Sequence, residues 1–387
     1  MTKIKYQHFS EQLEVLKEKN NFRTLKKIKA DGKYIFHEEK KLLNCSSNDY
    51  LGIADDKNLL MEFYQSLGNE MYFPYSSNSS RLLSGNNEEY DKIETLLASQ
   101  YAREACLLFN SGYHANTGII PAICDRNTLI IADRFVHASI LDGIKISNAR
   151  YLRYNHLDYE HLEKLITEHG DHYRQILVIS ESVFSMDGDN ADLRELILLK
   201  KKYSFYLYID EAHAVGVSGN KGLGLCEEQN SINDIDFIVG TFGKAYSSVG
   251  AYLICDKLIK DFLINKSRTL IYTTALPPLN LKWTHFIAKK MESFSDKRNS
   301  LMRLSIYFKN ELKNTGFDVR GNSQIIPVII GANKKCIEIS EFFENNGYYV
   351  PAVKPPTVPE GTARLRFSLQ ASFDKHDIDD IIILLKS

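Results

Sequence analysis

The sequence has no uninterrupted apolar run of the roughly 18 residues that a membrane-spanning helix requires. Residues 1–20 carry charges throughout and lack the apolar core of a secretion signal. With 48 basic and 49 acidic residues, the chain also lacks the basic excess with which nucleic-acid-binding proteins neutralise phosphates. We therefore expect a protein that neither spans a membrane nor binds nucleic acid.

Cysteine is sparse and scattered. None of the six cysteines belongs to a Cys-x-x-Cys pair, which argues against both a zinc site and a disulfide scaffold and is typical of reduced thiols in a cytoplasmic protein. His156, His161, His169 and His172 are close in sequence but do not have metal-ligand spacing on one helical face. We expect a cytoplasmic protein without a metal.

The chain does contain a regular alternation of short apolar runs and helical patterns. The apolar runs are 105–109, 128–131, 176–179, 206–209 and 237–239. Such runs, bounded by polar residues, are typical of strands that are buried on both faces of a parallel sheet. Helical spacing between them, as in Tyr90, Ile93 and Leu97, predicts connecting helices, so the sequence predicts a doubly wound α/β fold.

The pattern changes after Pro277 and Pro278, where long helical stretches and two further strand-like runs follow. We predict three segments. These are an N-terminal helix and hairpin over 1–49, a large α/β domain over 50–280, and a small C-terminal α+β domain over 281–387. At about 150 residues per domain, the length of 387 agrees with one large and one smaller domain.

Ligands of open α/β sheets bind beyond the carboxyl ends of the strands, so the polar residues that follow each run are the candidates for a site. Lys244 follows the run 237–239. Near a buried strand its pKa is expected to fall, which makes its amine a nucleophile able to form a Schiff base with a carbonyl cofactor. The alternative is a solvated surface lysine.

Asp210 follows the run 206–209, and a carboxylate at the end of a buried strand needs a cationic or donor partner. A pyridinium nitrogen is one such partner, and His213 is then close enough to donate to a ring hydroxyl. The alternatives for Asp210 are a magnesium ligand or a helix N-cap. The chain lacks a Gly-x-x-x-x-Gly-Lys-Ser/Thr loop, which disfavours a nucleotide hydrolase.

Two further strand ends suit an aromatic, phosphorylated ligand. Gly112 opens a predicted helix after the run 105–109, and a helix N-terminus attracts phosphate, although a glycine there is also common for packing alone. His137 follows the run 128–131, where its imidazole is placed either to stack on an aromatic cofactor or to serve a structural role.

Taken together, these segments resemble the α-oxoamine synthases, which are fold-type-I enzymes dependent on pyridoxal 5′-phosphate (PLP). The resemblance runs from about Asn44 to the C-terminus. It is carried by the motifs Ser47–Gly52, Ser80–Gly85, Glu181–Gly188, Asp210–His213, Thr241–Lys244 and Pro355–Thr362. It implies a large, mostly parallel sheet domain with a smaller C-terminal α+β domain.

The resemblance also implies a role for individual residues. Lys244 bonds the cofactor and moves the Cα proton, Asp210 pairs with the pyridine nitrogen, and His213 pairs with the ring hydroxyl. His137 stacks on the ring, and Ser185 contacts it. The implied phosphate ligands are Gly112, Tyr113 and Thr241, with Thr273 and Thr274 from the second subunit of a homodimer with shared active sites. Arg366 clamps the amino-acid carboxylate, and the other implied substrate residues are Arg23, Asn48, Lys354 and Thr357.

Within that family, the motifs are most similar to those of the branch that condenses L-alanine with a pimeloyl thioester in biotin biosynthesis, with CoA or an acyl carrier protein as the thiol. Two departures concern the acyl substrate. Asn78–Arg81 replaces the Gly-Gly-Ser/Thr-Arg of many relatives, and Lys354 replaces an arginine. The alternatives are a synthase that joins glycine or another small amino acid to a different acyl-CoA, and a non-catalytic PLP-binding module.

Overall fold

The structure is a computed structural model that describes residues 5–68 and 74–387. Its helices are α1 (Gln7–Glu18), α2 (Lys57–Ser66), α3 (Glu88–Gln100), α4 (Gly112–Ile123), α5 (Ala138–Ile146), α6 (Tyr159–His169), α7 (Leu193–Tyr203), α8 (Leu225–Glu228), α9 (Lys257–Lys266), α10 (Arg268–Ile271), α11 (Pro278–Lys290), α12 (Ser295–Asn314), α13 (Asn333–Asn345) and α14 (Lys375–Lys386). Its strands are β1 (Lys29–Asp31), β2 (Tyr34–His37), β3 (Lys40–Asn44), β4 (Ala105–Phe109), β5 (Thr128–Asp133), β6 (Arg150–Tyr154), β7 (Gln175–Glu181), β8 (Tyr206–Asp210), β9 (Phe237–Thr241), β10 (Ala251–Cys255), β11 (Ile325–Gly331), β12 (Tyr348–Tyr349), β13 (Ala352–Val353) and β14 (Ala363–Ser368).

The largest sheet has seven strands in the order β4-β10-β9-β8-β7-β5-β6. Strands β6, β5, β7, β8 and β9 pair in parallel, whereas β10 is antiparallel to both β9 and β4. This confirms the predicted doubly wound, mostly parallel sheet, and each predicted apolar run lies in one of its strands. The sequence analysis had not assigned β6 and β10.

The sheet is covered by helices whose apolar residues are fully buried. Ile119 and Ile120 of α4 and Ile140 of α5 belong to the same core cluster as Ile130 of β5 and Leu253 of β10. Each such side chain contributes about 1.5–3 kcal/mol of hydrophobic stabilisation. This packing fixes the start of α4 and the start of α5 against the carboxyl ends of the parallel strands.

The chain divides into two compact units. The sheet unit comprises Asn48–Ser185 and Asp189–Ser300, and the terminal unit comprises the described residues up to Ser47 together with Met186–Gly188 and Leu301–Ser387. In the terminal unit, the meander β1-β2-β3 continues into β12, which is parallel to β3, and β11, β14 and β13 form a second, antiparallel sheet.

Over the ranges that the structure describes, no helix is long and apolar enough to cross a bilayer.

Candidate active site

A cavity of about 190 Å³ lies at the carboxyl edge of the seven-stranded sheet. Parallel strands place their carboxyl ends at one edge, so the residues after β5, β7, β8 and β9 meet there with the start of α4. The cavity is lined by Gly112, Tyr113, Asn116, His137, Ser139, Glu181, Asp210, Ala212, His213, Thr241 and Lys244. The structure therefore brings most of the predicted cofactor residues to one place.

Asp210 ends β8 and is 5% exposed. Its Oδ1 accepts a hydrogen bond from the Ala212 amide at 2.9 Å, and its Oδ2 accepts one from Nδ2 of Asn116 at 2.8 Å. Oδ1 of Asn116 in turn accepts a bond from the hydroxyl of Tyr208 at 2.5 Å, which fixes the orientation of the amide. These hydrogen bonds hold the carboxyl group in one orientation in the cavity. They also offset the free-energy cost of burying a polar group.

His137 caps the start of α5, and its backbone is held by a buried acid. The amide of His137 donates a 2.5 Å hydrogen bond to Oε1 of Glu181, and its ring Nδ1 lies 2.7 Å from Oγ of Ser139. Burial lowers the pKa of His137 and Lys244 lowers it further, against the opposing field of Asp210. The imidazole is therefore mostly neutral near pH 7, as suits a ring that stacks on an aromatic ligand.

Glu181 ends β7 directly opposite Asp210 in the register of β7 and β8. It is 3% exposed. Burial and the neighbouring carboxylate of Asp210 both raise its pKa well above the ordinary range. Glu181 is therefore the carboxyl group at this edge that favours its protonated form.

His213 belongs to a hydrogen-bonded chain with Tyr50 and Asn48. The hydroxyl of Tyr50 lies 2.6 Å from Nδ1 of His213 and 3.1 Å from Oδ1 of Asn48. The Tyr50 hydroxyl has one hydrogen, which it donates to Asn48, so Nδ1 of His213 donates to the Tyr50 oxygen. In the neutral ring Nε2 is then the acceptor, which suits a ligand hydroxyl that donates. Tyr50 is fully buried, so this orientation is fixed by packing as well.

The start of α4 also borders the cavity. Ser111 caps the helix by accepting a hydrogen bond from the amide of His114 at 3.1 Å, and Gly112 is the first helical residue. The first N–H groups of a helix have no partner within the helix and bear a partial positive charge. Thr241 faces Gly112, since a Cβ built on Gly112 would lie 3.9 Å from Oγ1 of Thr241.

This set of donors and acceptors fits PLP, the cofactor that the resemblance implies. An anion fits at the start of α4, a protonated ring nitrogen fits at Asp210, and a ring hydroxyl fits at His213. Lys244, half-buried after β9, supplies an amine in the same cavity for the cofactor's aldehyde. The second carboxyl group that lines the cavity, Glu181, has a raised pKa that favours its neutral form, so it does not conflict with this arrangement.

Three predicted cofactor residues are not among the residues that line this cavity. Ser185 lies in the loop after β7. Thr273 and Thr274 lie beside Asn110, whose Nδ2 donates to Oγ1 of Thr273 at 3.2 Å and to the carbonyl oxygen of Thr274 at 2.6 Å. Their roles toward the cofactor stay predictions, and those of Thr273 and Thr274 require a second subunit.

Apart from Asn48, the predicted substrate residues lie in the terminal unit. Arg366 of β14 is 8% exposed, and its Nη1 donates to Oγ of Ser368 at 2.6 Å. Arg23 donates to Oγ1 of Thr357 at 3.1 Å, and Nζ of Lys354 donates to the carbonyl oxygen of Asn20. Arg23, Thr357 and Lys354 thus form one polar cluster within this unit.

The sequence analysis gave no role to Asn116, Ser139, Glu181 or Tyr50, although Glu181 and Tyr50 lie in motifs that it singled out. Helical spacing is the signal for Asn116, because a residue four positions after Gly112 lies on the same face of α4. Glu181 follows a buried strand just as Asp210 does. The hydroxyls of Ser139 and Tyr50 gave no local signal.

All six cysteines are free and buried. Within residues 5–68 and 74–387, no group of three or more His, Cys, Asp or Glu side chains could hold a metal ion.

Comparison with known proteins agrees with this site. Residues 40–383 match the family model "Aminotransferase class I and II". The 8-amino-7-oxononanoate synthase of Haemophilus ducreyi is 47% identical over 386 residues, which cover 98% of this chain and 100% of that protein. The resemblance to the α-oxoamine synthases is thereby confirmed.

Solved structures give the same result. A serine palmitoyltransferase from S. paucimobilis with bound PLP and myriocin superposes with a TM-score of 0.90 at 26% identity, over 99% of this chain and 97% of that one. The 8-amino-7-oxononanoate synthase of Francisella tularensis superposes with a TM-score of 0.76 at 26% identity, over 89% and 97%. The protein therefore belongs to the class I and II aminotransferase family and, within it, to the group of the 8-amino-7-oxononanoate synthases.

Proposed function

We propose that the protein is a PLP-dependent acyltransferase of biotin biosynthesis that condenses L-alanine with a pimeloyl thioester. The products are 8-amino-7-oxononanoate, carbon dioxide and a free thiol. The observation that carries the proposal is the meeting of Lys244, Asp210 and His213 in one cavity at the carboxyl edge of the sheet. The relatives named 8-amino-7-oxononanoate synthase support the choice of reaction.

When bound, PLP supplies an aldehyde that reacts with amines and an electron-withdrawing pyridinium ring. The amine of Lys244 would hold the cofactor, and it would take the proton from Cα of the amino acid. Asp210 is oriented by Asn116 and the Ala212 amide, and it would pair with the protonated ring nitrogen. His213 would pair with the ring hydroxyl, and the start of α4 would bind the phosphate.

The substrate residues are assigned by their charge. Arg366 presents a guanidinium whose paired N–H groups suit a carboxylate, so we assign it the carboxylate of alanine. Lys354 and Arg23 are the cations assigned to the far carboxylate of the pimeloyl chain. If these two cations bind the far carboxylate, the acyl chain is dicarboxylic and not neutral.

We further propose a cytoplasmic homodimer with shared active sites. Several large apolar side chains are exposed on this chain near the candidate phosphate residues, including Leu83 at 83% and Tyr272 at 72%. A second copy that covers them can bring Thr273 and Thr274 to the phosphate.

The test mixes a Lys244→Ala subunit with a subunit carrying Thr273→Ala and Thr274→Ala. If the sites are shared, random hybrids restore about a quarter of the wild-type activity, because half the dimers then contain one intact site. No recovery would contradict shared sites.

The test of the reaction is a matrix of amino acids against acyl thioesters, in which free thiol and product mass are recorded. L-Alanine with pimeloyl-CoA or pimeloyl-acyl carrier protein is expected to react fastest. Faster reaction of glycine, or of another small amino acid with a different acyl-CoA, would favour the alternative synthase. PLP binding without thiol release from any pair would favour a non-catalytic PLP-binding module.

A further inference from the structure

A histidine outside the cavity connects two of its backbone segments. Nδ1 of His156 lies 3.0 Å from Oδ1 of Asp133, and its Nε2 lies 3.2 Å from Oδ2 of Asp189. Ionised carboxylates only accept hydrogen bonds, so both ring nitrogens must donate, and His156 is an imidazolium. None of the catalytic roles assigned above uses this residue.

Packing holds the ring in the same position. The ring of Phe135 lies 4.5 Å from that of His156, centroid to centroid, at an interplanar angle of 32°. The ring of Phe184 lies 4.5 Å away at 86°, edge to face. The imidazolium is thus sandwiched between one aromatic side chain from each of the two segments that it joins.

The first segment leads to His137. Asp133 is 0% exposed, and besides His156 it accepts hydrogen bonds from the amides of Phe135 at 2.8 Å and Leu157 at 2.9 Å. It stands four positions before His137, whose amide is bound to Glu181. A shift of Asp133 therefore shifts the backbone that carries the stacking histidine.

The second segment carries Ser185. The amide of Phe184 donates to the carbonyl oxygen of Asp189 at 2.9 Å, and Val183 pairs with Asn190 as an antiparallel bridge. These bonds close a tight loop with Ser185 inside it. The side chain of Asp189 connects this loop to His156 through an ion pair.

We propose that His156 is a positioning residue that clamps the Asp133–His137 segment to the Phe184–Asp189 loop and thereby fixes His137 and Ser185 for PLP. The inference rests on the proposed function, because both residues matter to the cofactor only if PLP occupies the cavity. It assigns a role to an ion-paired triad that lies outside the cavity.

The clamp has a predictable pH dependence. Burial alone would lower the pKa of His156, but its hydrogen bonds to Asp133 and Asp189 and the charges of these two groups raise it to about 9, from an ordinary 6.5. Asp133 and Asp189 are the charged groups that face the ring, and Asp133 also contributes to the raised pKa values of Tyr154, Tyr159 and Glu181 on the neighbouring elements. A group with a raised folded-state pKa stabilises fully below 6.5 and loses its contribution as the pH rises through about 9.

The experiment measures the dissociation constant of PLP from the apoprotein between pH 6.5 and 9.5, together with the thermal midpoint of the apoprotein. The variant is His156→Gln, whose amide donates to one carboxylate but presents its oxygen to the other. The matched control is His169→Gln, which removes an exposed histidine from α6. A milder second variant, Asp189→Asn, keeps Asp133 and the ring and removes one charge.

At pH 7 we expect His156→Gln to weaken PLP binding about tenfold, which is 1.4 kcal/mol, with no change in the control. The ratio of the PLP dissociation constant of the variant to that of the wild type should shrink toward one above pH 9. Asp189→Asn should weaken binding about threefold with the same trend, and it carries the test if His156→Gln does not fold. Unchanged PLP affinity, or a ratio that stays constant across the pH range, would overturn the clamp.

The two proposals fail differently. A wild-type protein that develops no visible absorption band with PLP would overturn the proposed function. A normal band and normal turnover, with variants that bind PLP like the wild type at every pH, would overturn only the role of His156.

Discussion

Glu181 and Asp210 occupy opposite positions in two neighbouring parallel strands, and both carboxyl groups face the same cavity. A second carboxylate in a buried site disfavours ionisation, and Asp210 is one cause of the raised pKa of Glu181. Asp210 receives two donated hydrogen bonds, from Asn116 and the Ala212 amide. Burial raises the pKa of Glu181, so Glu181 takes the proton and leaves Asp210 free to pair with a cation.

Glu181→Gln is expected to be tolerated, because an amide mimics a neutral carboxyl group and can still accept from the His137 amide. Glu181→Ala removes that acceptor and should cost about 1–3 kcal/mol of stability for the buried N–H that it leaves unpaired. The measurement is the free energy of unfolding of both variants with PLP bound. Equal losses for the two variants would mean that the hydrogen bond to His137 does not matter.

Glu181 should also give the protein a measurable pH dependence. Because burial raises the pKa of Glu181 in the folded state, the folded protein keeps its proton at pH values above the ordinary pKa of a glutamate. The unfolded chain has released that proton at the same pH. Stability from this group therefore falls as the pH rises. Between pH 5 and pH 8, the thermal midpoint of Glu181→Gln should fall less than that of the wild type. A steeper fall in the variant would show that Glu181 is ionised in the folded state.

Lys244→Ala should abolish the visible absorption band of the PLP-bound protein and reduce turnover by at least ~10²–10⁴-fold, as expected for a lost acid–base group. The loss should be larger still, because the covalent attachment is removed as well. Absorbance spectra and thiol release measure the two effects. Lys221→Ala, which removes an exposed lysine, is the matched control. Near-normal turnover of Lys244→Ala would contradict the proposed mechanism.

Asp210→Asn should keep PLP bound but slow the loss of the Cα proton about a hundredfold or more, because an amide cannot balance a protonated ring nitrogen. The phosphate contacts at the start of α4 are untouched by this change, so PLP affinity should fall much less. Exchange of the alanine Cα proton into heavy water, followed by NMR, measures the effect. An unaltered exchange rate would remove Asp210 as the partner of the ring nitrogen.

The meeting of Lys244, Asp210 and His137 in one cavity was predictable, because each of them follows a buried apolar run. Lys244, Asp210 and His137 each come within a few residues of such a run, and the carboxyl ends of parallel strands meet at one edge. Any sequence with this pattern brings those side chains together. The fold class was predictable for the same reason, because alternating apolar runs and helical patterns define it.

The supporting residues were not predictable, because their roles depend on pairs of distant positions. The bond from Asn116 to Asp210 joins a helix to a strand, and the clamp of His156 joins three separate segments. Strand β6 was missed because it lies at the edge of the sheet with Arg150 and Arg153 exposed, so its sequence lacks a continuous apolar run. The pairing of β3 with β12 likewise leaves no local pattern.

Lys354 tests the identity of the acyl substrate. Burial and the nearby Arg23 lower its pKa, against an opposing effect of Cys336, and its Nζ donates to the carbonyl oxygen of Asn20. Lys354 and Arg23 repel each other as cations, and an anion that binds near both relieves this repulsion. If the acyl chain ends in a carboxylate, Lys354→Met should therefore raise KM for the pimeloyl thioester about three- to thirtyfold, or about 0.7–2 kcal/mol.

The comparison that decides this prediction uses a second thioester. A heptanoyl thioester, which lacks the terminal carboxylate, should show nearly the same KM with Lys354→Met as with the wild type. Lys334→Met, which removes an exposed lysine from α13, should change neither KM. Lys354→Arg should keep or slightly tighten binding of the pimeloyl thioester, since a guanidinium can grip a carboxylate with two N–H groups. If Lys354→Met affects both thioesters equally, Lys354 does not bind the carboxylate, and a neutral acyl group becomes the better candidate for the substrate.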